Sequence, residues 1–272
     1  MQQTKTVSDI LDFYAQTNTA YLHARGAQAT RLLAGVLNGQ RGEKILEFGF
    51  GTGSTTVHMA AAFPQTDFYG VDVSQRMFQK AQARLRFCGL EKRCRLFLVQ
   101  PAEKRPFEDQ FFDKIFVESV LAMQPGEQLA FAVEEIARLL KPGGRLVMNE
   151  TLWLEIATAA DIDRFNRLCE EKFGVIQANG RYPYIGDWIE LLQKHGLRVD
   201  TWRSLDDPDT EKGLAPSGWA PRLSAIFTFF GRLKVRLWPR FRKIQAGYER
   251  EESVFYENRK YLTGMLISAT RV

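Results

Sequence analysis

The sequence predicts an α/β fold in which a doubly wound parallel sheet is covered by helices on both faces. One observation is a short apolar segment, residues 44–48, that leads through three alternating glycines into a helical segment at 55–62. Another is that strand-like and helical segments then alternate as far as Glu150. Such alternation implies parallel strands with a helix between each pair. At 272 residues the chain can bury a sizeable core as a single domain.

The remaining elements follow from periodicity and from turn residues. Gly196 is placed to cap the helix before it. In chain order, we predict helices at 7–17 and 21–37, a strand at 43–48, helices at 157–173 and 184–195, and strands at 197–202 and 261–270. The span 203–260 between the last two strands is too long for a hairpin loop, so we expect an insertion there.

The glycine-rich loop after the first strand predicts a ligand site. Glu47 stands two residues before the first of three glycines at alternate positions, Gly49, Gly51 and Gly53. Glycines at such a place allow the backbone to approach a ligand that any Cβ would block. The dinucleotide fingerprint needs its third glycine one residue later, where this chain has Ser54. An acid at position 47 suits a ligand with a cationic amine.

The string from Glu47 to Gly53 resembles motif I of the class I S-adenosylmethionine-dependent methyltransferases. Other blocks resemble further motifs of the same family: residues 68–81, 96–117 and 139–148, the last of which contains Lys-Pro-Gly-Gly. The resemblance covers residues 20–150 well and is looser over 184–202 and 261–272. It implies a Rossmann-like sheet of seven strands whose last strand is antiparallel. It also implies S-adenosyl-L-methionine as cofactor and S-adenosyl-L-homocysteine as product.

The resemblance also implies how the cofactor is held. Asp72, at the end of the second strand, would bind the ribose hydroxyls, while Val73 and Met77 would pack near the adenine. The expected cofactor contacts are Glu47, Gly49, Gly51, Gly53, Asp72, Val73, Met77, Ala102, Glu103, Glu118 and Tyr21.

The chain departs from the family pattern at Pro101. The family has an aspartate there that accepts the adenine amino group, and proline offers neither a carboxylate nor an N–H. We therefore expect Ala102 to donate its backbone N–H to the adenine ring, with Gln100 or Glu103 as the acceptor.

Three residues are candidates for catalysis. Glu118 and Glu150 lie at the ends of the fourth and fifth predicted strands, where this fold places cofactor and substrate. His23 lies with Tyr21 in the N-terminal helices, which fold over the cofactor in similar enzymes. Methyl transfer needs an in-line attacking atom and exclusion of water, and a base only when the attacking group must lose a proton. Either carboxylate could then be a general base or could only form hydrogen bonds.

Composition bounds the remaining properties. The three cysteines and three histidines are too scattered for a metal site, so we expect no metal. The N-terminus lacks the apolar core of a signal peptide, and no apolar run approaches the ~20 residues that cross a bilayer. We expect a cytoplasmic, reducing setting with buried thiols.

The net charge of +5 is concentrated in one segment. Residues 231–243 carry six basic residues and no acid, so the rest of the chain is close to neutral. This distribution argues against nucleic acid as a partner and for one basic patch.

The patch overlaps an apolar stripe at helical spacing, formed by Ile226, Phe230, Leu233, Leu237, Phe241 and Ile244. Three interpretations stay open. The stripe packs on the sheet with the basic residues in water, or it forms a lid over an apolar pocket whose arginines meet an anionic group. In the third interpretation residues 226–244 lie on an anionic membrane surface. A lipid-like substrate would be compatible with the last two.

We predict a methyltransferase that acts on a small, partly apolar molecule, with O-methylation favoured over N- or C-methylation. The alternatives are a nucleotide-dependent oxidoreductase and a non-catalytic cofactor-binding protein of the same fold. The expected organisation is a helical cap at 1–40, a core at 41–202 and 261–272, and a helical lid at 203–260.

Overall fold

The structure is a computed structural model of the chain that describes residues 9–23, 25–207, 213–251, 253 and 258–272. Its strands are β1 (Lys44–Phe48), β2 (Asp67–Asp72), β3 (Cys94–Leu98), β4 (Phe112–Glu118), β5 (Leu140–Trp153), β6 (Leu197–Ser204) and β7 (Leu262–Arg271). They form one sheet in the order β3-β2-β1-β4-β5-β7-β6. The pairs among β1 to β5 are parallel, and β7 is antiparallel to β5 and β6. The predicted seven-stranded sheet with an antiparallel last strand is confirmed.

The helices of the described residues surround this sheet. They are α1 (Asp9–Gln16), α2 (Gly26–Leu37), α3 (Ser54–Ala62), α4 (Gln75–Phe87), α5 (Gly126–Leu139), α6 (Ala159–Phe173), α7 (Ile185–Lys194), α8 (Ala220–Leu237) and α9 (Pro239–Glu251). A short 3-10 turn at Arg259–Tyr261 leads into β7. No helix in this described set is long and apolar enough to cross a membrane.

The core lies on both faces of the sheet. Successive strand residues point to opposite faces, so Ile45 packs with α2 and α3 while Leu46 packs with α5 and α7. The three cysteines are free and buried, and burial raises the pKa of the Cys94 thiol to about 12. The expectations of a sheet covered on both faces and of buried thiols are confirmed.

The N-terminal region differs from its prediction. Residues 7 and 8 of the first predicted helix lie outside the described part of the chain. The second helix begins at Gly26 instead of residue 21, because Tyr21 and Arg25 adopt left-handed conformations with φ of 54° and 60°. A right-handed helix cannot continue through such residues. The link before α2 lies on the glycine-rich loop, where the Tyr21 N–H donates to Ser54 Oγ at 2.9 Å.

The insertion is helical in its described part, but three of the six residues of its apolar stripe are exposed. Ile226, Phe230 and Leu237 are 44%, 54% and 59% exposed. The buried positions of α8 are the small residues Ala220, Ser224, Thr228 and Gly231. They bring the helix close to its neighbours, and a Cβ on Gly231 would lie 1.7 Å from the Thr17 carbonyl oxygen. In the predicted stripe, Phe241 of α9 is the member that is buried.

The fully buried guanidinium of Arg84, on α4, joins the insertion to the rest of the fold. Its Nε donates to the Thr52 carbonyl at 2.8 Å, and its Nη2 donates to the Asn18 carbonyl at 2.8 Å. Its Nη1 donates to the hydroxyls of Ser224 and Thr228, both at 2.9 Å. Burial lowers the pKa of Arg84 to about 10, so the side chain stays protonated at neutral pH.

We predict that Arg84→Met lowers the free energy of unfolding by roughly 2–4 kcal/mol, because several buried acceptors lose a charged donor. Urea denaturation monitored by tryptophan fluorescence measures the change. Arg86→Met on the exposed side of the same helix is the matched control and should shift stability by less than ~0.5 kcal/mol. Equal effects of the two substitutions would show that the Arg84 contacts do not stabilise the fold.

Candidate functional site

A cavity of about 480 Å³ opens at the carboxyl ends of the parallel strands. This is the edge of an α/β sheet at which ligands bind. Eight of the predicted cofactor contacts line it: Glu47, Gly49, Gly51, Asp72, Val73, Met77, Ala102 and Glu118. All three candidate catalytic residues, His23, Glu118 and Glu150, also line it. The structure therefore brings most of the predicted site residues to one cavity.

Three predicted cofactor contacts do not line the cavity, and their role in binding the cofactor stays a prediction. Gly53 is the residue before α3, and it packs on α4, where a Cβ would lie 3.0 Å from Ala81 Cβ. The Tyr21 ring stands edge-on to the rings of His23 and His58, and burial and then the charge of Glu118 raise the pKa of its hydroxyl. Glu103 is exposed, and its backbone carbonyl accepts a hydrogen bond from the Arg105 side chain.

The loop glycines are required by the backbone itself. Gly49 and Gly51 have φ of 85° and 50°, a region that side chains disfavour. A Cβ on Gly49 would also lie 2.4 Å from a Val120 methyl group. At Gly49 and Gly53 the close approach is therefore to protein atoms. Packing against protein atoms is thus a reason for glycine at these two positions, and the approach of a ligand to the same loop stays a prediction.

Glu47 is a buried carboxylate at the end of β1. Burial raises its pKa well above the usual range, a hydrogen bond from the Thr56 hydroxyl opposes this, and the charges of Glu118 and Asp72 add to the rise. A cationic amine in the cavity would favour the ionised form of this group. Glu47 is therefore suited to the amino group of an amino-acid ligand.

Asp72 combines a structural contact with a place on the cavity wall. One carboxylate oxygen accepts the N–H of Gly51 at 2.8 Å, and the other accepts the N–H of Ser74 at 2.8 Å. Burial raises its pKa to about 6, although these backbone donors oppose the shift. The carboxylate thus ties the glycine-rich loop to the end of β2 and presents an acceptor to the cavity.

Glu118 is surrounded by donors. Its Oε2 accepts from the hydroxyls of Thr30 and Thr55 at 2.9 and 3.0 Å, and His23 Nε2 lies 3.1 Å from the same oxygen. Burial acts to raise the pKa of Glu118, but His23 and the two hydroxyls outweigh it, and the pKa is lowered. Glu118 is therefore an anion at neutral pH that fixes the imidazole of His23.

Glu150 holds the loop that follows β4. Its two carboxylate oxygens accept the backbone N–H groups of Val120, Leu121 and Ala122, each at 3.0 Å. Burial raises its pKa to about 7 against the effect of these three donors. These contacts position the cavity wall, which is the second of the two roles expected for Glu150, hydrogen bonding in place of a general base.

Much of the remaining cavity lining is apolar. Its wall contains Ile10, Leu11, Tyr14, Met123, Phe131, Phe173 and Val175. Three neutral polar side chains, those of Gln124, Gln128 and Gln177, also line it. We expect this part to hold the second ligand of the site.

Helix α1 contributes to the apolar wall of the cavity, and the insertion does not. No described residue of 203–260 lines the cavity, and Arg232, Arg236 and Arg240 are exposed to solvent. The described residues of the insertion thus do not reach the cavity, whereas we expected a lid whose apolar stripe turns inward. The insertion instead supports α1 from behind, with Phe13 packed against Phe241 and Tyr248 of α9 at ring distances of 6.5 and 5.7 Å.

Sequence reasoning missed Arg105, which is buried on the cavity wall near Pro101 and Ala102. Its Nη1 donates to the carbonyl of Gln100 at 3.0 Å, and its guanidinium lies 5.1 Å from the Phe48 ring centroid. Among the described residues, Arg105 Nε is one of four buried side-chain N or O atoms without a hydrogen-bond partner, and of those four residues it alone lines the cavity. Gln100 and Glu103 are exposed and do not line it, which corrects their assignment as adenine acceptors.

This set of groups fits S-adenosylmethionine. A buried carboxylate suits its ammonium group, a second carboxylate suits its ribose, and an unpartnered buried N–H suits the acceptors of its adenine ring. In the described part of the chain, no group of three or more His, Cys, Asp or Glu side chains is arranged to hold a metal ion.

Comparisons with known proteins agree with this geometry. The family model for a methyltransferase domain matches residues 45–144. An uncharacterized protein of Haemophilus influenzae is 31% identical over 194 residues, which cover 70% of this chain and 73% of that protein. Methyltransferase GfsG of Streptomyces halstedii is 28% identical over 71% of this chain and 64% of its own length. The ubiquinone/menaquinone biosynthesis C-methyltransferase UbiE of Burkholderia multivorans is 32% identical over 64% of this chain and 66% of its own. In the two named methyltransferases the match thus spans slightly less than two thirds of the relative.

Solved structures share the fold. The [4+2]-cyclase SpnF superimposes with a TM-score of 0.69 at 19% identity, covering 97% of this chain and 94% of that chain. Geranyl diphosphate methyltransferase in complex with GPP and sinefungin gives 0.64 at 18% identity, covering 94% and 81%. Phosphoethanolamine N-methyltransferase 2 of Haemonchus contortus in complex with S-adenosyl-L-methionine gives 0.66 at 15% identity, covering 99% and 58%.

The matching domain, the methyltransferase relatives and the cavity residues lead to one conclusion. The chain belongs to the class I S-adenosylmethionine-dependent methyltransferases, the enzymes that transfer a methyl group from S-adenosyl-L-methionine.

Proposed function

We propose that this enzyme methylates a small, largely apolar molecule, with an oxygen atom favoured over nitrogen or carbon as the acceptor. One observation carries the proposal: a single cavity joins the acidic groups at the strand ends to the apolar wall formed by α1, α5 and Phe173. The cofactor would occupy the acidic part and the acceptor the apolar part. Family membership disfavours the nucleotide-dependent oxidoreductase.

The cofactor roles follow from the contacts. Glu47 binds the ammonium group, Asp72 binds the ribose, and Val73 and Met77 line the adenine region. When bound, S-adenosylmethionine supplies a methyl group that is already electrophilic. The protein therefore has to orient the acceptor in line with the methyl–sulfur bond and exclude water.

The wall chemistry favours a neutral acceptor over an anionic one. Among the described lining residues, Arg105 is the one member of the Lys/Arg class, and it lies beside Pro101 and Ala102 in the predicted adenine region. A phosphate-bearing acceptor would need cationic donors in the apolar part of the cavity. The polar side chains named there are three glutamines. An apolar acceptor would also partition into lipid, which agrees with a position of the enzyme at a membrane surface.

His23 is the proposed general base. Its imidazole lines the cavity, and Glu118 fixes it from behind at 3.1 Å, the arrangement that orients a histidine for proton transfer. In this step the acceptor hydroxyl gives its proton to His23, and its oxygen bonds to the methyl carbon. The carbon–sulfur bond breaks, and sulfur keeps the electron pair. The same base would serve methylation at a carbon atom, the type of reaction that the name C-methyltransferase gives for the relative UbiE.

A turnover assay distinguishes a methyltransferase from a cyclase or a non-catalytic binder of the same fold. The similarity to a [4+2]-cyclase extends to the fold alone, and a non-catalytic binder would keep the cofactor contacts. Formation of S-adenosylhomocysteine with a panel of phenols and prenylated quinols, followed by mass spectrometry, tests methyl transfer directly. Tight cofactor binding with no methylated product from any apolar acceptor would count against the proposal.

We predict that Asp72→Ala weakens S-adenosylmethionine binding by ~1–3 kcal/mol, because a charged acceptor for the ribose is lost. Isothermal titration gives the affinity, and circular dichroism confirms that the variant is folded. Asp67→Ala, at the exposed start of the same strand, should bind as the wild type does. An unchanged affinity in folded Asp72→Ala would remove Asp72 from the site.

We predict that Arg105 donates from Nε to a ring nitrogen of adenine. The 1-deaza, 3-deaza and 7-deaza analogues of S-adenosylhomocysteine each lack one ring acceptor, so one of them should bind the wild type more weakly by about 1.5–3 kcal/mol. That analogue and the parent compound should bind Arg105→Met equally. Lys104→Met, at the exposed neighbouring position, should keep the wild-type preference. If Arg105→Met weakens all four ligands by one common factor, Arg105 only supports the 100–105 loop.

We predict that His23→Gln lowers kcat by a factor of about 10²–10⁴, the usual contribution of a general base, while the affinity for S-adenosylmethionine is kept. The measurement is the pH profile of kcat with the first hydroxylated acceptor that the panel identifies. In the wild type, kcat should fall at low pH as the base becomes protonated. The variant should lack this fall. His58→Gln, whose parent histidine lies outside the cavity lining, should retain it. A profile that is the same for His23→Gln and the wild type would exclude His23 as the base.

A further inference from the structure

An exposed apolar surface covers the outer side of the insertion. We call it the α8–α9 surface and define it by Ile226, Phe229, Phe230, Leu237 and Trp238. These side chains are 44% to 59% exposed, although they are among the most apolar in the chain. Large apolar side chains that cluster in solvent mark interaction sites more often than they mark chance exposure.

The fold holds this surface outward. The opposite side of α8 presents Ser224 and Thr228 to the buried guanidinium of Arg84. On the same side, Gly231 lies against the Thr17 carbonyl, where no side chain fits. Rotation of α8 to bury Phe229 and Phe230 would break these contacts. The outward position of the apolar residues is thus a consequence of how the helix is anchored.

Basic side chains accompany the apolar ones. Residues 231–243 contain six Lys or Arg and no acid. Five of the six are exposed: Arg232, Arg236, Arg240, Arg242 and Lys243. None of these five forms an ion pair with another described residue. Their charge is therefore available to an external anionic partner.

We propose that the α8–α9 surface docks the enzyme on an anionic phospholipid membrane. Phenylalanine and leucine side chains would enter the interface between headgroups and acyl chains, and Trp238 is the residue type that such interfaces favour. The arginines would meet lipid phosphates and carboxylates. Nucleic acid is less well matched, because five exposed apolar side chains offer a phosphate backbone nothing to bind.

Docking would place the membrane on the outer side of α8 and α9, with α1 and its cavity wall packed on their inner side. Helices α8 and α9 pack against α1 through two contacts. Lys234 Nζ of α8 donates to the Gln16 carbonyl at 3.3 Å, and Phe241 of α9 contacts Phe13. Helix α1 in turn lines the cavity with Ile10, Leu11 and Tyr14. An apolar acceptor could then pass from the lipid to the cavity, an idea that rests on the proposed function. The docking of the enzyme on the membrane does not rest on it.

The test is flotation of the full-length enzyme with vesicles of phosphatidylcholine alone and of phosphatidylcholine with phosphatidylglycerol. The wild type should bind the anionic vesicles at least about tenfold more tightly than the neutral ones, and high salt should weaken this binding. The double variants Phe229→Ser/Phe230→Ser and Arg232→Glu/Arg236→Glu should each lose about tenfold in affinity for anionic vesicles.

The matched control reverses two exposed charges elsewhere. Arg164→Glu/Arg167→Glu on α6 changes the net charge by the same amount and should bind anionic vesicles within about twofold of the wild type. Titration with S-adenosylmethionine should give the wild-type affinity in all variants, which shows that they are folded and separates this test from that of the proposed function.

Four results of these measurements would overturn the docking proposal, and a comparison with DNA supplies a fifth. They are no binding to either vesicle, equal binding to both, equal losses in the control, and self-association in sedimentation velocity that Phe229→Ser/Phe230→Ser abolishes. The last would identify the surface as an interface between copies of this chain. Tighter binding to a duplex DNA than to anionic vesicles would assign it to nucleic acid instead.

Discussion

The buried guanidinium of Arg84 connects three parts of the chain that are far apart in sequence. It donates to the carbonyl of Thr52 in the glycine-rich loop, to the carbonyl of Asn18 before α2, and to the hydroxyls of α8. Every one of these acceptors is neutral, so the cation is stabilised by hydrogen bonds in place of an ion pair. The cofactor loop, the N-terminal link and the insertion must therefore keep one arrangement together, and the small-residue side of α8 follows from it.

Four acidic residues lie at the carboxyl ends of the strands: Glu47, Asp72, Glu118 and Glu150. Hydrogen-bond donors offset the effect of burial on the pKa of each to a different degree. Glu118 has enough donors to lower its pKa despite burial. Glu150 has three backbone donors, yet burial still raises its pKa to about 7. Glu47 has a single hydroxyl donor and a pKa well above its usual range. The carboxylate that the protein compensates least is the one expected to meet a cationic ligand group, and the well-compensated ones position other parts of the site.

The predictable parts of the fold were those set by neighbouring residues. The strand–loop–helix unit from Lys44 to Ala62 and the acid at Asp72 depend on local patterns, and the structure places them as predicted. The burial of α8 depends on Arg84 and on the Thr17 carbonyl, which no periodicity in residues 220–237 encodes. The stripe therefore indicated a helix correctly but not its buried side. Arg105 was missed because its role depends on the fold that buries it in the cavity wall against the Phe48 ring.

The same packing relates the outer surface of the enzyme to its cavity. Phe173 lines the cavity and stacks on Tyr248 of α9 with ring centroids 6.1 Å apart. Tyr248 also contacts Phe13 of α1, so α9 touches two separate walls of the apolar region through aromatic rings. Interiors packed in this way transmit displacement, because there is little free volume to absorb it. A force applied to the outer side of α8 and α9 would then reach the acceptor region through Tyr248 and Phe13, while the cofactor contacts on β1 and β2 are anchored in the sheet. Acceptor binding is therefore one step that the outer surface can influence, and the Arg84 contacts link α8 to the glycine-rich loop as well.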